Sequence, residues 1–167
     1  MDSDVLAAPA PEPHIIEAWP RALSPRLGAF MDYLDRCRPP GGSAARLSAF
    51  DLLAIPDLIS RLVLIDPIKD NSGGVRFRFR FVGTWHLTAF GHDITGRFAD
   101  ELRRDPMVDL IQKALETVLD AGEPHYWLRT SLFERQQFIT YQRIMAPLAD
   151  DDGRVVRIVG CYDTVDA

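Results

Sequence analysis

Long apolar runs, an excess of basic residues, paired cysteines and glycine-rich phosphate loops are what this 167-residue chain lacks, and each absence removes a class of function. No stretch is long and apolar enough to span a bilayer, so no membrane partner is expected. The opening MDSDVLAAPAPEP has neither the basic start nor the apolar centre of a secretory signal, and the cytoplasm of a bacterium is the expected compartment. A formal net charge of −5 gives no general attraction to nucleic acid or anionic lipid. The two cysteines, Cys37 and Cys161, stand far apart without CxxC spacing, which argues against a zinc site and a disulfide framework. Neither GxxxxGK nor GxGxxG occurs, and no serine occupies a GxSxG elbow. His86 and His92 do not share a helical face, and the aspartates at Asp150 to Asp152 lack the rest of a calcium loop. No metal ligand and no catalytic residue is assigned.

What is present is a chain with 47% hydrophobic residues, enough for one domain with its own core. It is organised around Val75 to Gly96, VRFRFRFVGTWHLTAFGHDITG. Val75, Phe77, Phe79 and Phe81 alternate with Arg76, Arg78 and Arg80, which predicts a half-buried strand with all four apolar residues on one face. Gly73-Gly74 before it marks a turn, so the strand is read as the second arm of a hairpin. Thr84 is the expected cap of a short helix burying His86, Leu87 and Phe90, and Gly91 stops it. A second short helix is expected from Asp93 or Thr95 to Leu102.

Residues 1–23 are read as a disordered tail, residues 24–42 as a helix and linker, and residues 43–167 as the compact domain. The first helix runs from Ser24 or Pro25 to Arg36 and carries Leu27, Phe30, Met31 and Leu34 at helical spacing. Pro39-Pro40-Gly41-Gly42 follows as a breaker. Ile59 to Ile65 is a buried strand that Asp66-Pro67 ends, and Ile68 to Gly74 is the hairpin loop. Asp105-Pro106 starts the longest helix, with Met107, Leu110, Ile111, Ala114, Leu115 and Val118 in register to Ala121. Three strands close the chain, roughly Pro124 to Phe133, Phe138 to Leu148 and Val155 to Thr164, joined by polar turns at Glu134 to Gln137 and Asp150 to Gly153. Strands linked this closely pair antiparallel. The fold class is α+β.

This order, two strands, short helices, one long helix and three strands, resembles a PAS domain over about Leu58 to Thr164. The most specific part is RFRFVGTWHLTAFGHDITGR, with Gly91 as the prominent glycine and Gly96-Arg97 as the G-R pair. The strand-Gly-Thr start and the DITGR run are similar to a group of stand-alone bacterial PAS proteins, mostly without an assigned function. The resemblance implies a five-stranded antiparallel sheet with helices on one face, and a cavity between them lined by Phe79, Trp85, His86, Phe90, Trp127 and Tyr141. An aromatic residue in a small domain is also ordinary core packing. The cofactor stays open. Flavin photosensors of the family place a reactive cysteine two positions after the G-R pair; Ala99 stands there, which argues against a covalent flavin adduct. The long helix carries no histidine for haem, and His125 just beyond it is expected to be solvent-exposed.

Arg76, Arg78 and Arg80 recur at about 7 Å along one sheet face. For Arg76 and Arg78 a structural role is expected, with stems covering apolar surface and heads paired across strands. Arg80 is read as a ligand-binding residue at the cavity mouth. The apolar stripe Leu27, Phe30, Met31, Leu34 is suited to covering the outer sheet face or to a second copy, and a homodimer is the expectation. With no output region after Ala167, any signal is expected to leave through contact with a signalling protein. The function expected is a sensor or interaction module binding a small ligand or a signalling partner, without catalysis of its own. The alternative is a small α+β-cone isomerase or dehydratase-type enzyme, for which His86 or His125 beside a buried carboxylate would speak.

Overall fold

The computed structural model describes residues 14–102, 108–133 and 137–165. Its frame is one sheet with β1 (His14–Ile16), β2 (Ala45–Arg46), β3 (Leu62–Lys69), β4 (Val75–Val82), β5 (His125–Phe133), β6 (Gln137–Ala149) and β7 (Val155–Thr164). The helices are α1 (Pro25–Arg36), α2 (Thr84–Phe90) and α3 (Val108–Ala121). The order across the sheet is β1-β5-β6-β7-β3-β4, all antiparallel, with β2 pairing parallel to β6. The expected five-stranded antiparallel sheet is therefore its body, and β1 and β2 are short additions. β6 outruns β5, whose register ends at His125 opposite Met145, so the last residues of β6 have an open edge. β2 takes that edge at Leu148 and Ala149.

The strands differ from the sequence reading where pairing overrides local signals. Asp66-Pro67 does not end β3, which runs on to Lys69. Its pairing with β7 stops at Ile65, so at Pro67 the strand has β4 alone beside it and the missing donor faces no ladder there. The turn is shorter than expected: the Asp70 carboxylate accepts from the amides of Ser72 and Gly74 and closes it. A bulge in the β3/β4 ladder pairs Leu64 with Phe81 but Ile65 with Phe79, skipping Arg80. Phe81 is thereby turned to the opposite face from Phe77 and Phe79, and the four-residue apolar ribbon is split.

His14–Ile16, assigned by sequence to the tail, form β1 on the free edge of β5. Three residues of strand carry too little pattern to be read alone; their pairing partner supplies the reason for order. Residues 1–13 and the Asp105-Pro106 cap with Met107 lie outside the described residues. Between Asp93 and Leu102 only one 3-10 turn forms, Ala99–Glu101, in place of the expected helix. Thr84 opens α2 but does not cap it; Gly83 does, tied by its amide to the Leu62 carbonyl at 2.8 Å. A Cβ at Gly83 would collide with the carbonyl oxygens of Ile59 and Ser60, so glycine is required by close approach.

Each sheet face has its own core. On the inner face, Val63, Ile65, Phe77, Phe79, Trp127 and Met145 pack against Ala89, Ile94, Ala99 and the α3 stripe Ile111, Ala114, Leu115, Val118. Leu110, expected in that stripe, is exposed. On the outer face, α1 lies over Leu62, Leu64, Tyr126, Ile144, Leu148, Val159 and Cys161. Ser24 caps α1 by accepting from the Leu27 amide at 3.3 Å. Leu27, Phe30 and Leu34 are fully buried there, a gain of about 1.5–3 kcal/mol each. This corrects their assignment to a dimer interface. Their surface is spent within the chain, and Met31 packs at the edge of the same core. An ion pair between Arg26 and Asp163 fastens the start of α1 to β7.

Candidate functional site

Register places three cross-strand rows on the inner face near the ends of β5, β6 and β7. Trp127, Arg143 and Tyr162 form one row, Arg129, Tyr141 and Thr164 the next, and His125, Met145 and Gly160 the third. α2 covers them with Trp85 and His86, whose rings meet edge to face at 5.0 Å. Trp85 also contacts Tyr162 at 5.7 Å and Tyr141 at 6.2 Å, and His86 meets Tyr162 at 4.4 Å. Arg61, just before β3, stacks on Trp85 at 4.9 Å and donates to the Thr164 hydroxyl at 2.7 Å. Rings and guanidinium groups pack against one another between helix and sheet.

The polarity of this cluster is unusual for a core. His86, Arg129 and Arg143 are 1%, 1% and 2% exposed. Arg143 lies flat over Trp127, its Cζ 3.3 Å from the ring centre, and its Nη1 donates to the Tyr162 hydroxyl at 3.2 Å. Arg129 Nη1 donates to the Tyr141 hydroxyl at 3.3 Å. Among the described residues, Arg143 Nε and Nη2 and Trp127 Nε1 are buried without a hydrogen-bond partner. Burial holds His86 neutral, its pKa pushed down to about 3, while its Nδ1 donates to the Gly83 carbonyl at 3.2 Å. Burial likewise pushes the Tyr141 phenol up to about 12, against the pull of the nearby arginines. The site is a neutral and cationic aromatic nest.

Of the residues singled out by sequence, Trp85, His86, Trp127 and Tyr141 come together here. Phe79 does not: it lies on β4, two strands from β7, among the aliphatic side chains of the inner core. The side chain of Phe90 lies outside the described residues. Arg80 is not at this site. It sits at the bulge, half-exposed, with Nη1 3.2 Å from Asp66, which also holds Arg157 at 2.7 Å. Arg78 reaches the same carboxylate at 3.9 Å, and Arg76 grips Asp100, so both act structurally as expected. Burial raises the Asp66 carboxyl, yet Arg157 and Arg80 outweigh it and hold it below its ordinary value.

Ala99 is fully buried in the inner core. His125 is not the exposed residue expected; its side chain is 14% exposed, between Trp127 and Glu17, with Nε2 3.4 Å from the exposed Glu17 carboxylate. Its Nδ1 is buried without a partner among the described residues. Neither histidine shows the buried carboxylate that the enzyme alternative called for among the described residues. The sequence reading missed Arg129, Arg143 and Tyr162. Arg129 and Arg143 stand two residues from Trp127 and Tyr141, so the strand period was the available signal for them, while Tyr162 is reached only through its pairing with Arg143.

No protein-family profile and no curated protein sequence matches the chain. Solved structures do. The PAS domain of BvgS from Bordetella pertussis aligns with TM-score 0.54 and 17% identity over 70% of this chain and 87% of that one. A light-oxygen-voltage domain studied with a flavin analogue aligns with TM-score 0.52 and 20% identity over 68% of this chain and 83% of that one. VqmA bound to DPO aligns with TM-score 0.53 and 12% identity over 68% of this chain and 56% of VqmA.

Proposed function

We propose, from the premise that this chain carries the PAS fold, that it is a cytoplasmic sensory module without catalysis of its own, taking up a small ligand between α2 and the inner sheet face. One observation carries this reading: that face buries Arg143 and Trp127 with Arg143 Nε and Nη2 and Trp127 Nε1 unpaired among the described residues, where packing alone calls for hydrocarbon. Burying polar groups costs stability unless each finds a partner, and a ligand with complementary groups supplies one. VqmA, a structural neighbour, was solved with a ligand, which supports the same use of the fold. The described part of the chain has no helix long and apolar enough to cross a membrane.

Transfer of the signal to a protein partner, or to a second copy of the chain, belongs to the same proposal. With Leu27, Phe30 and Leu34 used internally, Ile16 and Trp19 near the β1 edge are apolar surface left for it. The test is a small-molecule library of acids, bases and neutral compounds against the purified full chain, read by melting temperature and tryptophan fluorescence. The expected result is at least one compound that raises the melting temperature and changes the emission saturably. Trp85 and Trp127 lie in the site and report on it. No response to any class of compound overturns the reading.

A further inference from the structure

We infer that the ligand is a small monocarboxylate, anchored by the free edge of Arg143 over Trp127. This rests on the ligand-binding reading above and names its chemistry. The edge formed by Nε and Nη2 is the side-on fork of a guanidinium, matched in spacing to the two oxygens of a carboxylate. The molecule shows that use itself: Arg76 donates from Nε to Asp100 Oδ2 and from Nη2 to Oδ1, both at 2.8 Å. Arg143 presents the same two donors, held in place by Tyr162 at Nη1 and by the indole beneath, and among the described residues nothing meets them.

Stacking on Trp127 offsets part of the cost of a buried charge, but less than an unpaired buried ion costs. An anion at the fork closes that difference. Three described carboxylates on the neighbouring strands and edge are placed elsewhere. Asp163 holds Arg26 on the outer face, Asp66 holds Arg157 and Arg80, and Glu17 stands exposed beside His125. Among the described residues the fork and the Trp127 Nε1–H are buried donors without a partner, and two parallel donors match a monoanion with two oxygens. The rings of Trp85, Tyr141 and Tyr162 around the fork suit a flat organic remainder.

The test uses the full chain at neutral pH and constant ionic strength, with acetate and benzoate as probes, acetamide and benzamide as their uncharged counterparts, and inorganic phosphate as the competing anion. Melting temperature and tryptophan emission are titrated for each. At least one carboxylate is expected to bind saturably, with its amide and phosphate weaker by about tenfold or more. Arg143→Lys keeps the charge but loses the fork, and Arg143→Met fills the space without charge. Both are expected to weaken carboxylate binding by about tenfold or more. Should either fail to fold, Trp127→Phe, which removes only the indole donor and a little volume, is expected to weaken it severalfold. Equal binding of amide and carboxylate, binding of phosphate alone, or unchanged affinity in the variants overturns the assignment. A neutral library compound that binds the same face while no carboxylate does overturns the carboxylate but leaves the sensory reading standing; silence from every compound overturns both.

Discussion

On the outer face of the sheet, arginine ends on carboxylate: Arg26 on Asp163, Arg157 and Arg80 on Asp66. On the inner face, a few ångströms away through the same strands, Arg143 ends on a phenol and an indole, and Arg129 on a phenol. The outer pairs are half-wet and close on themselves, as a structural surface does. The inner groups are dry, and Arg143 keeps Nε and Nη2 unpaired among the described residues. The same side chain thus closes on carboxylate on one side and on aromatic rings on the other. Partner chemistry, not residue type, makes the distinction.

That contrast can be broken or sharpened by measurement, beginning with the largest effect. Phe30→Ala removes the centre of the outer core and is expected to cost about 3–5 kcal/mol in urea unfolding, confirming that α1 belongs to the folded unit. Retention of full stability would detach α1 from that core. Acid comes next. His86 is held neutral by burial, so its folded pKa lies below its unfolded value and the unfolded chain binds the extra proton. Its stability is fully present above about pH 6.5 and is lost as pH falls toward about 3, with a slope of up to about 1.4 kcal/mol per pH unit. Equilibrium unfolding of His86→Asn across that range should show a flatter profile.

Asp66→Asn, on the outer face, takes the carboxylate from Arg157, Arg80 and Arg78 and is expected to cost about 1–3 kcal/mol in the same assay. Arg143→Met in the ligand-free protein is expected to change stability by less than about 1 kcal/mol or to raise it, since an apolar residue of similar volume relieves a buried ion. A large loss there would mean that Arg143 is a structural group, and the difference between the faces would vanish. Arg80→Ala should shift stability by less than about 0.5 kcal/mol, the ordinary value of an exposed ion pair.

The element order and the antiparallel body of the sheet were legible because alternation and helical spacing are local signals. Val75 to Phe79 and the Ile111, Ala114, Leu115, Val118 part of the α3 stripe are read correctly for that reason. The losses came where a neighbour decides. Phe81 changes face through a bulge that exists only in the ladder with β3. β1 exists only because β5 has a free edge. In the candidate site, aromatics drew attention because they are apolar, whereas Arg143 sits in a strand buried on both faces, where alternation of polar and apolar residues no longer marks inside from outside. Sequence distance from Gly83 points Arg80 to the cavity mouth, and the bulge sends it to Asp66 instead.

Cys161 lies on the outer face of β7 beneath α1, fully buried, its thiol pushed up to about 12 mainly by burial. At neutral pH a maleimide or disulfide reagent finds almost no thiolate and no path to the sulfur while the first helix is seated. Its labelling rate in a Cys37→Ser background therefore clocks how often that helix lifts, and adding a compound from the other side of the sheet would reveal whether occupancy there changes the frequency.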